Sequence, residues 1–215
     1  MNKNQKMTKT QILNVIILDR SASMKKLCRP VIEGFNDLID GIRHIEKEYE
    51  TTQEHYMTLV LFGGKHVRLI YDKIPIRDAP QLSARIYRPY GMTPLYDAVG
   101  LTLCHTMIHV GKDAKTIVLV SVITDGTDNS SEEYHIHRLK RFICDLHAKG
   151  WLFTLMATDN KLNTFASEID FDKEMFFTCD SNGIKEAFNY LHQSLHAFCS
   201  RMDELDKQIA QNEIY

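Results

Sequence analysis

Short apolar runs alternate with longer stretches of helical periodicity along nearly all of this 215-residue chain, and few folds accommodate such an alternation. The run at about Ile12 to Leu18 reads as a buried strand. A helical pattern follows from Pro30 to about Glu48, with Val31, Phe35, Leu38, Ile39 and Ile42 on one face. Tyr56 to Phe62 and Lys65 to Asp72 read as two strands joined by Gly63-Gly64. A connection that tight makes them antiparallel, because a parallel return needs a crossover of a dozen or more residues. Ile74 to Pro89 holds three of the five prolines and carries no element beyond a turn of helix near Ala79 to Ile86. Helix and strand then alternate over Pro94 to Val110, Lys115 to Thr124, Ser131 to Lys149, Trp151 to Ala157, Lys161 to Ile169, Met175 to Thr178, and a last helix from Gly183. The expected fold is α/β, a doubly wound and mostly parallel central sheet with one antiparallel edge strand and helices on both faces.

Two of the strands end in oxygen-rich turns. After Ile16-Ile17-Leu18 come Asp19, Ser21 and Ser23, an acid and two hydroxyls at alternate positions, and ligands of open α/β sheets sit beyond the carboxyl ends of strands. Hard divalent cations such as Mg²⁺ take carboxylate, hydroxyl and water oxygens. The second run ends in Asp125-Gly126-Thr127-Asp128-Asn129, again led by a carboxylate. Between them, in Gly91-Met92-Thr93-Pro94-Leu95-Tyr96-Asp97-Ala98, Thr93 before Pro94 reads as a helix N-cap on a surface loop.

Together these segments resemble a von Willebrand factor A (VWA) domain with its metal-ion-dependent adhesion site (MIDAS). The family's Asp-x-Ser-x-Ser, distant Thr and later Asp match Asp19, Ser21 and Ser23, then Thr93, then Asp125, and the Thr-Pro-Leu-Tyr-Asp-Ala and Thr-Asp-Gly contexts match too. The resemblance covers almost the whole chain. It implies a Mg²⁺ site, to which Mn²⁺ and Ca²⁺ are also suited, that binds a protein partner through that partner's Asp or Glu carboxylate. Two acids and three neutral hydroxyls supply at most five oxygens, so an octahedral ion keeps an open or water-filled position. Arg20, Met24, Lys25, Tyr90, Met92, Tyr96 and Asn129 surround the motif in sequence and are the candidates for choosing the partner.

Plainer readings stand beside this one. Asp and Ser after a strand also make turns or cap helices, and for Asp19 to Ser23 alone that explanation ranks first; the joint match reverses the order. Asp97, in a first helical turn, is read as stabilising the helix dipole, and Asp128 as a turn residue. His105 and His109 share a helical face but lack the Glu of a zincin motif, so they read as a solvated or packed pair rather than a zinc site. Gly63-Gly64-Lys65 lacks P-loop spacing. The alternative functions are a Mg²⁺-dependent phosphohydrolase and a VWA fold with a vacant site serving as a structural component. Ser21 stands where a phosphohydrolase would carry its second acid, and no catalytic residue is assigned.

A formal net charge of −2, with 44% hydrophobic and 25% charged residues, suits a globular protein and leaves no basic stripe for nucleic acid. No apolar run approaches membrane-spanning length. The polar stretch 1–11 does not read as a secretory leader, and the five widely spaced cysteines read as reduced thiols. A cytoplasmic adaptor or assembly role is the corresponding expectation. The chain divides into a polar tail 1–11, a VWA-like domain 12–200 and a helical extension 201–215. In the last helix Ile184, Phe188, Leu191, Leu195, Phe198, Met202, Leu205 and Ile209 repeat at steps of four and three, a heptad pattern that offers self-association through its second half as well as packing on the body.

Overall fold

The computed structural model describes residues 9–110, 115–158 and 163–212; the greater part of the expected tail 1–11, the start of the helix expected from Lys161, and residues 213–215 lie outside them. Among the described residues six strands form one sheet: β1 Thr10–Asp19, β2 Gln53–Gly63, β3 His66–Pro75, β4 Thr116–Thr124, β5 Leu152–Thr158 and β6 Lys173–Phe177. Their order is β3-β2-β1-β4-β5-β6, parallel throughout except for β3, which pairs antiparallel with β2 at the edge, as the Gly63-Gly64 connection requires. The strand order reverses between β1 and β4, so the crevice beyond their carboxyl ends is the natural ligand position of the fold.

Alternation along β1 explains why the chain is wound on both sides. Ile12, Ile16 and Leu18 point into one core with Val31, Phe35, Leu38, Ile39 and Ile42 of α1 (Cys28–Glu48) and Ile184, Phe188, Leu191 and Leu195 of α5 (Ser181–Asn212). Leu13, Val15 and Ile17 point into the other, against Leu95, Ala98, Val99 and Leu103 of α2 (Leu95–His109), Leu139, Ile143 and Leu146 of α3 (Ile136–His147) and Phe165 of α4 (Asn163–Glu168). A buried strand flanked on both faces needs apolar residues at every position, which is why Ile12 to Leu18 is nearly unbroken.

Three elements differ from expectation for identifiable reasons. α3 starts at Ile136 rather than Ser131, because the Asp97 carboxylate accepts the backbone N–H groups of Glu132, Glu133 and Tyr134 at 2.8, 2.9 and 2.8 Å and holds them out of a helix. Asp97 thus anchors the approach to α3 from the first turn of α2, a larger role than the dipole reading gave it. In Ile74 to Pro89 the helical piece is a 3₁₀ turn, Ile76–Asp78, with a hydrogen-bonded turn after Ser83. The last helix spans 32 residues, about 48 Å, and its packed face follows the 3.6-residue period into a polar end. Beyond Cys199 the buried positions are Asp203 and Asp206, whereas Leu205 and Ile209 are 44% and 53% exposed. Thr52 Oγ1 donates to Asp203 at 2.6 Å, Thr10 Oγ1 donates to Asp206 at 2.9 Å, and Lys115 pairs with Asp206. The helix therefore docks on the body beyond residue 200, and β1 begins at Thr10.

Candidate metal centre

Asp19 closes β1 and Asp125 follows β4, two strands paired in register up to Leu18 and Ile123, so the two carboxylates emerge side by side at the crevice. Hydroxyls join them. Ser21 donates its backbone N–H to Asp19 Oδ1 at 2.6 Å, Ser21 Oγ and Ser23 Oγ lie 3.0 Å apart, and Ser23 Oγ donates to Asp125 Oδ1 at 2.6 Å. Ser21 is the extended N-cap of a 3₁₀ turn, Ala22–Leu27, and Ser23 is its second residue, and across this junction the two hydroxyls are in contact. Four of the five expected residues thus form one connected set.

Thr93 lies at the same rim without joining that network. Its Oγ1 is 3.7 Å from where a Cβ on Gly126 would stand, and its backbone pairs with Asn129, whose side chain accepts the Thr93 N–H at 2.7 Å and whose N–H donates to the Thr93 carbonyl at 3.1 Å. The expected N-cap is corrected: Pro94 occupies that position, and Thr93 makes no capping bond and is buried rather than on an open loop. The first amides of α2 are taken instead by the 128–131 loop. Asp128 Oδ1 accepts from Tyr96 N at 3.2 Å, Ser131 Oγ accepts from Asp97 N at 3.0 Å, and Ser131 in turn donates to Asp128. The Thr93 hydroxyl is left free of a capping duty.

Backbone contacts staple the three loops together. Arg20 N donates to the Phe62 carbonyl, Tyr90 N to that of Arg20, Ala22 N to that of Gly91, and Gly64 N to that of Met92, all between 2.7 and 2.9 Å. Sequence reasoning missed several supports. Tyr87, fully buried in the segment read as irregular, donates its hydroxyl to the Asp19 carbonyl at 2.6 Å. Thr124 Oγ1 donates to Asp19 Oδ2 at 2.5 Å, Thr158 Oγ1 to the Asp125 carbonyl at 3.0 Å, and the Cys179 thiol to Asp125 Oδ2 at 3.6 Å. Their partners lie 33 to 105 residues away in sequence, and no local spacing signals them. Of the residues expected to choose a partner, Met24 is core and Arg20 is buried with its guanidinium 4.7 Å over the Tyr90 ring, whereas Lys25, Tyr90, Met92 and Asn129 are exposed.

The electrostatics are those of a site short of positive charge. Asp19 is 0% and Asp125 2% exposed, and among the described residues no Lys, Arg or His forms an ion pair with either. Burial pushes the Asp19 carboxyl up to about 6; hydrogen bonds from Thr124 and Ser21 pull against that, and the neighbouring Asp125 charge adds to it. An all-oxygen donor set with two anions and no counter-ion fits a hard divalent cation. Beside it opens a cleft of about 490 Å³ lined by Ser23, Lys26, Asp125, Thr158, Phe177, Thr178 and Cys179.

No protein-family model matches the chain, and no curated protein matches it in sequence. Solved structures do match. The VWA domain of SpRpn10 superposes with a TM-score of 0.54 at 11% identity, over 83% of this chain and 94% of that one. The fold is that of a VWA domain. Proximal thread matrix protein 1 from the mussel byssus, solved with a zinc-occupied MIDAS motif, matches the VWA fold of this chain with a TM-score of 0.56 at 12% identity, over 89% of this chain and 46% of its own. Manganese-loaded Plasmodium vivax TRAP protein matches with a TM-score of 0.52 at 19% identity, over 82% and 71%. The chain spans about half the length of the mussel protein.

Proposed function

We propose that this VWA-fold chain is a divalent-cation-dependent protein-binding module, with Asp19, Ser21, Ser23, Thr93 and Asp125 as its MIDAS residues and an Asp or Glu of the partner completing the coordination. The reading rests on two buried carboxylates, bridged by serine hydroxyls at the fold's ligand crevice, that have no cationic side chain between them. The mussel and Plasmodium neighbours, solved with zinc and manganese respectively, support it by analogy of fold. A bound Mg²⁺ or Mn²⁺ would supply the electrophile that attracts the partner's carboxylate. The chain's own residues do the rest. Thr124 and the Ser21 amide fix both oxygens of Asp19, and Ser23 holds Asp125. Lys26 lends the cleft a positive wall, and exposed Tyr90 and Met92 offer apolar contact at the rim.

The same geometry argues against the phosphohydrolase. Asp19 has Ser21 two residues on, where a phosphohydrolase would carry its second acid, and the carboxylate that Ser23 links to it is Asp125, whose Oδ1 accepts from the Ser23 hydroxyl. Five free cysteines and the absence, among the described residues, of a helix long and apolar enough to cross a membrane accompany our reading of a cytoplasmic adaptor. Calorimetric titration with Mg²⁺ and Mn²⁺ tests the site: binding in the parent chain, lost in Asp125→Ala, is expected. A vacant site gives no heat and no thermal shift. Affinity capture with and without chelator, with Ser21→Ala as control, tests the partner mechanism, and a partner retained equally in all three arms would show that recognition bypasses the ion. Turnover of a generic phosphate ester with Mg²⁺, abolished by Asp19→Ala, would replace the binding reading by the enzymatic one.

A further inference from the structure

On the far side of the edge strand, α2 and β3 bring a second donor set together. His105 and His109 lie one turn apart near the end of α2 with ring centroids 4.1 Å apart, and Asp72 projects from β3 with Oδ1 3.0 Å from His105 Nε2. One ligand atom from each of the three lies within 4.8 Å of the others. A tetrahedral ion with metal–ligand bonds of about 2.1 Å holds its ligand atoms about 3.4 Å apart, so the His105–Asp72 edge is already near that length. The wider edges close by rotation of Asp72 and His109, both exposed. His109 Nδ1 lies 2.8 Å from the His105 carbonyl, a contact the ring makes as a donor, which leaves the Nε2 lone pair outward. This is the arrangement by which ligating imidazoles are commonly oriented through their second nitrogen.

We propose that Asp72, His105 and His109 form a metal site separate from the serine-lined one, selective for a borderline transition-metal ion such as Zn²⁺, which ties the antiparallel edge strand to α2. Two imidazoles and a carboxylate suit Zn²⁺ and disfavour Mg²⁺, whose preferred donors are all oxygen. Three protein ligands leave a fourth position for water or an outside donor. The ion would close one end of the shallow apolar cleft formed by Val60, Val67, Leu69, Leu101 and Thr102 with His105. The spacing of His105 and His109 alone does not reveal this, because the third donor is 33 residues earlier on a strand that meets α2 only in the fold.

The test is a Zn²⁺ titration of the full chain in an Asp19→Asn background, read by calorimetry, by thermal shift and by the imidazole resonances in nuclear magnetic resonance spectra. Expected are one-to-one binding with a rise in Tm, shifts confined to the rings of His105 and His109, and a loss of affinity on the order of 100-fold in His105→Asn and in His109→Asn. Asp72 and His109 are exposed and His105 is half-buried, so without zinc the histidine variants should keep the Tm of the Asp19→Asn protein. No Zn²⁺ binding in the Asp19→Asn background overturns the proposal. Binding that survives both histidine substitutions, as binding by cysteine thiolates would, overturns it equally.

Discussion

Replacing Asp19 by Asn should stabilise the metal-free protein while removing its response to Mg²⁺. In the folded chain burial lifts this carboxyl from 3.8 to about 6, and in the unfolded chain it returns to its ordinary value. A raised folded value means that the native state holds the proton more tightly. The resulting stability is therefore fully present below about pH 4 and lost as pH rises through 6. At about 1.4 kcal/mol per pH unit, the cost of the ionised, buried side chain reaches about 3 kcal/mol by pH 8. Asn avoids that cost and still fits. Its carbonyl accepts from Ser21 N, and Thr124 can turn its hydroxyl proton to the Gly126 carbonyl, 3.1 Å away, and accept from the new amide. In chelator at pH 8 the variant should melt about 6–12 °C above the parent, and the advantage should vanish near pH 4. Mg²⁺ should raise the Tm of the parent alone. A variant no more stable than the parent at pH 8, or equally favoured at pH 4 and pH 8, would refute the idea that an uncompensated buried charge sits at this mouth.

Gly91→Ala should cost about 2–4 kcal/mol in urea unfolding, because φ is +72° there and the new Cβ would stand 2.4 Å from Gly64 Cα; an unchanged midpoint would show that the hairpin turn does not brace the Thr93 loop. Asp97→Ala should cost a similar amount and expose the amides of Glu132, Glu133 and Tyr134 to rapid hydrogen exchange, whereas persistent protection would show that the segment is held by other means. Sedimentation of Leu205→Ser with Ile209→Ser tests self-association through the last helix: a lower apparent mass than the parent at high concentration is expected, with Tm nearly unchanged, and identical sedimentation counts against pairing through that stripe.

What could be read from the chain was what depends on local pattern. The nearly continuous apolar run before Asp19 marks a strand buried on both faces, Gly63-Gly64 forces the antiparallel edge, and the oxygen-bearing turns after β1 and β4 place Asp19 and Asp125 at one crevice once the strand order is known. What escaped was competition between distant groups for the same backbone amides. Asp97 removes residues 132–134 from the helix that their composition favours, and the 128–131 loop takes the capping role that Thr93-Pro94 suggests locally. The heptad of the last helix divides between two faces. A straight helix drifts from a seven-residue repeat, so its buried face passed from Leu195 and Cys199 to Asp203 and Asp206 while the apolar stripe turned outward.

Where α5 meets Thr10 also has a mechanical consequence. Thr10 opens the central strand and bonds Asp206 near the end of the last helix, so the two ends of the described fold lie together, about 30 Å of strand from Asp19. Tension applied through both flanks would load the Thr10, Thr52 and Lys115 contacts to the helix first and peel it from its terminus, sparing the opposite pole. If the proposed partner binds at the Asp19 pole, pulling on the opposite pole would leave that rim intact.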